Sequence, residues 1–395
     1  MSRKNQNKKR KVFDTKKSPD KLILYFSILM TIFGAIMIFD ASVYKANESF
    51  SDPFHFLKLQ LVWIIIGLII GFLLYIYDYR KLQKLSLLGM IISIVSLILV
   101  LLLGEDINGS KRWFSFGPLP PLQPAEFAKI AVILYLSSWM STNKYFSDKT
   151  KVVLKDSFLK SLISFGAIVG VVALLIILEP DLGTTMIIGI TSFIMYFIAK
   201  EGPEHAKLAT ISLLLVFLPI VIIAAILEPY RIGRISTYLH LLTTGEIADP
   251  RGDGYQMQQI LIGIGSGGFL GKGFGQSRQR FGYLVENTAF TDSIFAVILE
   301  ELGFLGGTIL VLAWVIFLWR GFKIGLNAAD KQGKLLAIGI TVWLTLQALL
   351  NIGANVGLIP LTGIPAPFLS YGGSSTIVTL AGIGILLNIS KHSKT

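Results

Sequence analysis

The chain has 395 residues, 53% of them hydrophobic and 15% charged, against about 25% charged in an ordinary soluble domain. That balance excludes a soluble enzyme, and the absence of cysteine excludes disulfides, thiolate metal sites and a cysteine nucleophile. A net charge of +12 would suit nucleic acid, but the cations fall between apolar runs as in membrane proteins, and His55, His205, His240 and His392 lack metal-ligand spacing.

Residues 1–21 carry Arg3, Lys4, Lys8, Lys9, Arg10, Lys11, Lys16, Lys17 and Lys21, which predicts a solvated, disordered tail facing the cytoplasm and anionic lipid. Leu22 to Val43 is too long for a signal-peptide core and lacks a small-residue cleavage site, so it reads as a retained first span. Further spans are expected at 57–77, 85–103, 123–141, 159–178, 183–199, 207–227, 291–319, 336–356 and 371–389, near the ~20 residues that cross a hydrocarbon core as helix. The fold class is therefore an all-α polytopic membrane protein with ten transmembrane helices. The even number and the basic start place both termini in the cytoplasm. Arg80, Lys81 and Lys84, then Lys144, Lys149, Lys151 and Lys155, then Arg320, Lys323, Lys331 and Lys334 all fall in loops assigned inside. Loops 104–122, 179–182 and 357–370 fall outside, with a large extracytoplasmic loop, 228–290, between helices 7 and 8. No linker divides residues 22–390, which read as one domain followed by a short cytoplasmic tail, 391–395.

Polar residues collect in a few places. In the first outer loop Trp113 is either an interfacial anchor or a surface for a sugar ring, and Lys111 and Arg112 beside it suit a phosphate. Pro124 opens the next span, placing Glu126 and Lys129 three apart on one face. They form either a buried ion pair that orients helices or a site in which Lys129 binds an anion. Asp181, in Glu-Pro-Asp-Leu-Gly-Thr-Thr, reads as a helix cap. The large loop holds Arg231, Arg234, Gln256 and a glycine-rich run from Gly263 to Gly275, followed by Gln276. Gly263, Gly265 and Gly268 match the dinucleotide-binding spacing, but no strand precedes them and a nucleotide reading is rejected. Most of these glycines suit close packing of short re-entrant or interfacial helices. The alternative is backbone approach to a pyrophosphate, near Lys272, Arg278 and Arg280.

The stretch from Tyr283 to Glu301 passes from this loop into an apolar helix at Asp292. A carboxylate there is reachable by substrate and partly desolvated, though an acid at a helix start also serves as a cap. Glu300 and Glu301, two turns deeper, are costly without partners and read as supporting residues. Near the end, Pro360, Pro365 and Pro367 break the helix, and Ser370 offers a hydrogen-bonding ligand with no nearby histidine to make it a nucleophile.

Taken together, Asn-Gly-Ser-Lys-Arg-Trp, Gln-Pro-Ala-Glu-Phe-Ala-Lys, Glu-Pro-Asp-Leu-Gly-Thr-Thr, Gly-Ser-Gly-Gly-x-x-Gly-Lys-Gly-x-Gly-Gln-Ser, Asp-Ser-Ile-Phe-Ala-Val-x-x-Glu-Glu-Leu-Gly and Pro-Phe-Leu-Ser-Tyr-Gly-Gly-Ser-Ser resemble the SEDS family, FtsW, RodA and SpoVE, over residues 22–390. The resemblance implies a ten-helix peptidoglycan glycosyltransferase of the bacterial cytoplasmic membrane. It would polymerise lipid II at the outer face, with a class B penicillin-binding protein, a transpeptidase, as partner alongside other division or elongation proteins. The family's essential aspartate falls on Asp292 and its outer-loop tryptophan on Trp113. Val285, and Asn287 to Phe290, depart from the family's usual approach to that aspartate.

On this reading Asp292 is the general base for a sugar hydroxyl. Arg112, Lys129, Arg231 and Lys272 are candidates to stabilise the departing charge, and Trp113, Glu126, Gln276 and Ser370 to contact substrate. Asp292 holding a divalent cation, Mg or Mn, is the alternative, and no tightly bound cofactor is otherwise expected. Rival classes are a lipid II flippase and a non-enzymatic division scaffold.

Overall fold

In this computed structural model the described residues are 18–107, 110–116, 119–146, 155–200, 202–212, 214, 218–219, 222, 229–252, 254–281 and 288–393. The basic tail to residue 17, most of the expected seventh span, and residues 282–287 with Val285 and Asn287 lie outside them.

Most of the remainder is helix, because lipid offers backbone amides no partner except one another. In chain order come α1 (Lys21–Phe50), α2 (His55–Ile76), α3 (Leu82–Leu103), α4 (Pro124–Thr142), α5 (Lys155–Leu178) and α6 (Leu182–Ile198). They are followed by α7 (Pro203–Ser212), α8 (Pro229–Thr244), α9 (Tyr255–Gly267), α10 (Ile294–Leu326), α11 (Lys331–Asn355) and α12 (Gly373–Lys391). Among the described residues, seven helices are long and apolar enough to cross a membrane: α1, α2, α3, α5, α10, α11 and α12. Helix α6 is apolar but only 17 residues long, and α4 carries Glu126 and Lys129 within its first two turns.

Burial sorts these helices. The most apolar stretch of α12 is wholly enclosed and that of α11 is 78% buried, whereas that of α2 is 28% buried and turns the rest outward. Helices α11 and α12 therefore form the centre of a lipid-facing bundle. Close approach at that centre uses small residues. A Cβ at Gly384 of α12 would collide with the backbone of Gly71 on α2.

The first outer loop is not loop throughout, a departure from an all-α fold. Strands β1 (Glu105–Ile107), β2 (Ser110–Phe116) and β3 (Leu119–Leu122) form an antiparallel sheet in the order β1-β2-β3, with Asp106 opposite Lys111 and Phe114 opposite Leu122. Aromatic residues such as Trp113 and Phe114 in β2 favour a strand, and pairing satisfies backbone groups that no helix takes up.

The expected loop between spans seven and eight contains α8, α9 and a segment, residues 268–281, that folds back along α10. The amides of Lys272 and Gly273 donate to the carbonyls of Glu300 and Glu301, while those of Phe304 and Leu305 donate to Gly268 and Phe269. Helix α10 is broken at Gly303, whose φ is 65°, so these partners are exchanged at the break. Glycine is required there for contact as well as for conformation. A Cβ at Gly267 would run into the Leu299 carbonyl, and one at Gly271 into that of Glu301.

The two acids supply the polar half of this junction. Glu300 binds Lys272 Nζ at 2.6 Å, Ser277 Oγ at 2.7 Å and the Arg278 amide at 3.2 Å, and Glu301 accepts from the Ser277 amide at 3.1 Å. Arg280 then reaches Asp40 of α1 at 2.6 Å, which ties the folded-back segment to a second helix. Gly267→Ala is expected to lower stability by about 1–3 kcal/mol, since backbone rather than a movable side chain must yield. Gly170→Ala in α5, where no neighbouring atom lies within 4 Å, is expected to be neutral or to stabilise by up to about 1 kcal/mol. Thermal unfolding of both variants in the same detergent checks this.

Candidate active site

Asp292 lies just ahead of α10, whose cap position is taken by Ser293. A single 3-10 turn, Thr288–Phe290, leads into it, and the amides of Thr291 and Ser293 both donate to the Thr288 carbonyl. Phe290 is 2% exposed and sits between Phe56 and Tyr371, with ring centroids 4.6 and 5.7 Å away. This aromatic plug fixes the approach.

Three consecutive carbonyls are then tied to the C-terminal part of the chain. That of Phe290 accepts from the Tyr371 amide at 2.8 Å, and that of Thr291 from Ser370 Oγ at 2.5 Å. That of Asp292 accepts two amide side chains, Asn351 Nδ2 at 2.7 Å and Asn355 Nδ2 at 2.9 Å. Ser370 also accepts from the Ala366 amide at 2.7 Å, so this residue holds backbone.

The Asp292 carboxyl is half-buried. Its Oδ1 accepts from Thr291 Oγ1 at 3.1 Å, and Gln256 of α9 and the charge of Arg234 on α8 bear on it as well. Arg234 Nη1 donates to the Leu361 carbonyl at 3.0 Å, and a methyl placed on Gly363 would stand 3.9 Å from both this nitrogen and Asp292 Oδ2. Burial pushes the carboxyl above its ordinary range, outweighing the hydrogen bonds and the Arg234 charge that pull it down. The net direction is upward, which strengthens the carboxylate as a base.

Asn351 and Asn355 belong to a row four residues apart along α11 that also includes Trp343 and Gln347. Residues at this spacing lie along one helix ridge. Gln347 Oε1 accepts from Trp343 Nε1 at 2.9 Å and Lys129 Nζ at 2.8 Å, while its Nε2 donates to the Pro365 carbonyl at 2.9 Å. Asn351 gives its second N–H to Ile364 and Asn355 gives its own to Asn351. Lys129 is 2% exposed, pairs with Glu126 at 2.6 Å and lies 5.5 Å from the Trp343 ring centroid.

The remaining candidates are placed elsewhere. Arg112 donates through Nε and Nη2 to the carbonyls of Glu179 and Pro180, each at 2.6 Å, and lies 5.8 Å over the half-buried Trp113 ring. It therefore fastens the sheet to the turn between α5 and α6, where Asp181 caps α6 by accepting from the Thr184 amide. Lys272 is paired with Glu300, and the side chain of Gln276 is exposed. Arg231 is on α8, and its side chain lies outside the described residues. The structure brings Ser370 to the Asp292 backbone, joins Glu126 and Lys129 to the α11 row through Gln347, and places Arg112 with Trp113, and Lys272 with Glu300, in two further networks. In the sequence Arg234 and Gln256 stand out only as polar residues of the large loop, and Asn351 and Asn355 carry no assigned role, although amides four apart in an apolar helix are a costly pattern that signals partners. Among the described residues, no group of three or more His, Cys, Asp or Glu converges as a metal site.

The family model for cell cycle proteins of the FtsW, RodA and SpoVE type matches residues 20–395. The chain belongs to this family. It is 40% identical over 381 residues to stage V sporulation protein E of Bacillus subtilis, covering 96% of this chain and 99% of that one. It is 34% identical to the probable peptidoglycan glycosyltransferase FtsW of Legionella pneumophila, covering 95% and 91%. A chain in a solved structure described as structural coordination of polymerization and crosslinking by a peptidoglycan synthase complex superposes with a TM-score of 0.72. That chain is 27% identical, with 94% of this chain and 97% of that one covered. This is a multi-pass membrane protein of the same fold.

Two stability measurements follow from the networks around the site. Lys129→Met should cost about 3–5 kcal/mol by stranding the buried Glu126 charge, and adding Glu126→Gln should recover most of it, as read by thermal unfolding. Glu179 is fully buried, and burial, reinforced by Asp181 and opposed by Arg112, pushes its carboxyl up from 4.5 to about 9. The folded chain then keeps a proton that the unfolded chain loses, so stability is present at low pH and falls as pH rises through this window. Glu179→Gln should remove that slope from unfolding curves taken across the same pH range.

Proposed function

We propose that this protein is a peptidoglycan glycosyltransferase that polymerises lipid II at the outer face of the bacterial cytoplasmic membrane. The observation that carries this reading is a half-buried carboxyl, Asp292, whose backbone is fixed through three successive carbonyls and whose side chain lies near Arg234. Similarity to a probable peptidoglycan glycosyltransferase FtsW and to a chain of a peptidoglycan synthase complex supports the same chemistry.

Asp292 takes the proton of a GlcNAc 4-hydroxyl as that oxygen attacks the anomeric carbon of another molecule's muramyl sugar. The bond to the pyrophosphate oxygen breaks and polyprenyl pyrophosphate leaves. Desolvation keeps the base from being too weak for this task, and Arg234 is the cation placed to offset charge developing nearby. Arg112, Lys129 and Lys272 are occupied by protein partners in this arrangement and act by holding elements in place. A divalent cation brought to Asp292 would take its other oxygen ligands from the substrate's pyrophosphate and from water.

Both termini lie in the cytoplasm, with the three-stranded sheet, the α5–α6 turn and residues 357–370 outside. A class B penicillin-binding protein crosslinks the emerging strand. Asp292→Asn, which keeps shape but cannot act as base, is expected to abolish glycan formation from labelled lipid II while leaving folding and partner binding intact. Near-normal turnover by this variant would remove Asp292 from the mechanism. Transfer of lipid II across vesicles without its consumption would make the protein a flippase, and indifference to the substitution in both assays would make it a scaffold.

A further inference from the structure

We infer that Asn351 and Asn355 are positioning residues for the transfer reaction, and that their paired amides set where the Asp292 carboxyl stands without touching substrate. This rests on the reading of Asp292 as the base.

The first ground is the allocation of donors. A side-chain amide has two N–H bonds and a carbonyl two lone pairs. Both lone pairs of the Asp292 carbonyl are taken, one by each asparagine, at 2.7 and 2.9 Å. In a regular helix that oxygen would receive the amide of residue 296, but the Ala296 amide donates instead to Ser293. The carbonyl is thus released from its own helix and handed to α11.

The second ground is what the arrangement gives up. Asn351 and Asn355 are each 1% exposed, and their Oδ1 atoms are buried without a hydrogen-bond partner among the described residues. An apolar pair of the same shape would avoid that cost. The cost is explained if placement of the donors matters more than stability. The third ground is contrast within one residue. The backbone of Asp292 is over-determined, whereas its carboxyl is met by local and side-chain contacts, Thr291 Oγ1 at 3.1 Å from Oδ1 and Gln256, and stays half-buried rather than enclosed, within reach of a substrate proton. A base must stand within hydrogen-bond reach of its proton, and displacement by about 1 Å can cost on the order of 100-fold in rate.

The row extends the device. Gln347 and Asn351 hold the carbonyls of Pro365 and Ile364, and Arg234 holds that of Leu361. The same helix face therefore places the base and the segment that runs past it.

The test uses the full-length protein in liposomes with its crosslinking partner, and labelled lipid II as substrate. Rates are normalised to folded protein, and Asn355→Leu, Asn351→Leu and the double variant are compared with wild type. Each single variant is expected to lose about 10- to 100-fold in kcat with KM changed by less than about twofold, and the double variant to lose more. Release of the carboxyl into water should also move the acid limb of the kcat profile to lower pH, a change that simple destabilisation does not produce. Asn355→Ala serves as a second variant if leucine impairs folding. A raised KM with unchanged kcat would mean that the amides bind substrate and would overturn the inference. A loss that tracks only the folded fraction would reduce them to packing. Wild-type kinetics in the variants, with Asp292→Asn inactive in the same assay, would sink this inference alone, whereas turnover by Asp292→Asn would remove both.

Discussion

The row of donors on α11 is the constraint on which the rest of the structure depends. Polar side chains inside a membrane bundle must find partners, because no water is there to replace them. Trp343, Gln347, Asn351 and Asn355 meet that demand in series for their N–H groups, from the Lys129 amine through the carbonyls of residues 364 and 365 to that of Asp292, while Oδ1 of both asparagines is left without a partner among the described residues. Helix geometry makes this economical. Positions four apart advance by about 6 Å along a single ridge, so one rigid helix spaces all of the contacts. Enclosure of α11 beside α12 at the centre of the bundle keeps solvent from competing for them.

A second network works at the other end of the first helical stretch of α10. There Gly303 breaks the helix, and the segment from Gly268 to Arg280 supplies replacement partners for backbone that the break sets free. Glu300 and Glu301 do not compete with Asp292 for a chemical role. Each accepts backbone or side-chain donors from the folded-back segment, and Arg280 carries the link onward to α1. The result is that the short piece of α10 nearest Asp292 is gripped at both ends, by amide side chains at its start and by a glycine-lined junction at its break. A carboxyl placed at the start of such a piece, as Asp292 is, keeps its geometry without needing many partners of its own.

Much of this was legible in the letters for stated reasons. Apolar runs near the length of a bilayer gave the positions of α1 to α6 and α10 to α12 to within about five residues, except that α1 and α10 run further at their C-terminal ends, to Phe50 and Leu326, since lipid admits few backbone solutions. The glycines after Gly263 were read as packing residues, and Gly267 and Gly271 do meet backbone directly. Asp181 was read as a cap and is one. Other features were not legible. Spacing places Glu126 and Lys129 on one face, yet only the fold shows Gln347 as the third partner, 218 residues from Lys129. Arg112 looked like a phosphate ligand because a guanidinium matches phosphate geometry, but two backbone carbonyls with accessible lone pairs satisfy it equally well. The sheet of residues 105–122 was missed because its strands are short and their pairing is set by contacts across turns.

The sequence by itself determined the membrane environment, the helical class and the family, and through the resemblance it pointed to the carboxyl proposed as base, because hydropathy, motif order and the cost of buried charge act locally along the chain. The tertiary structure decided how that carboxyl is held, which cations are committed elsewhere, and that burial rather than charge dominates at Asp292. Those outcomes depend on partners contributed by α8, α9, α11 and the segment before α12. Distances between groups so far apart in sequence exist only once the bundle has closed.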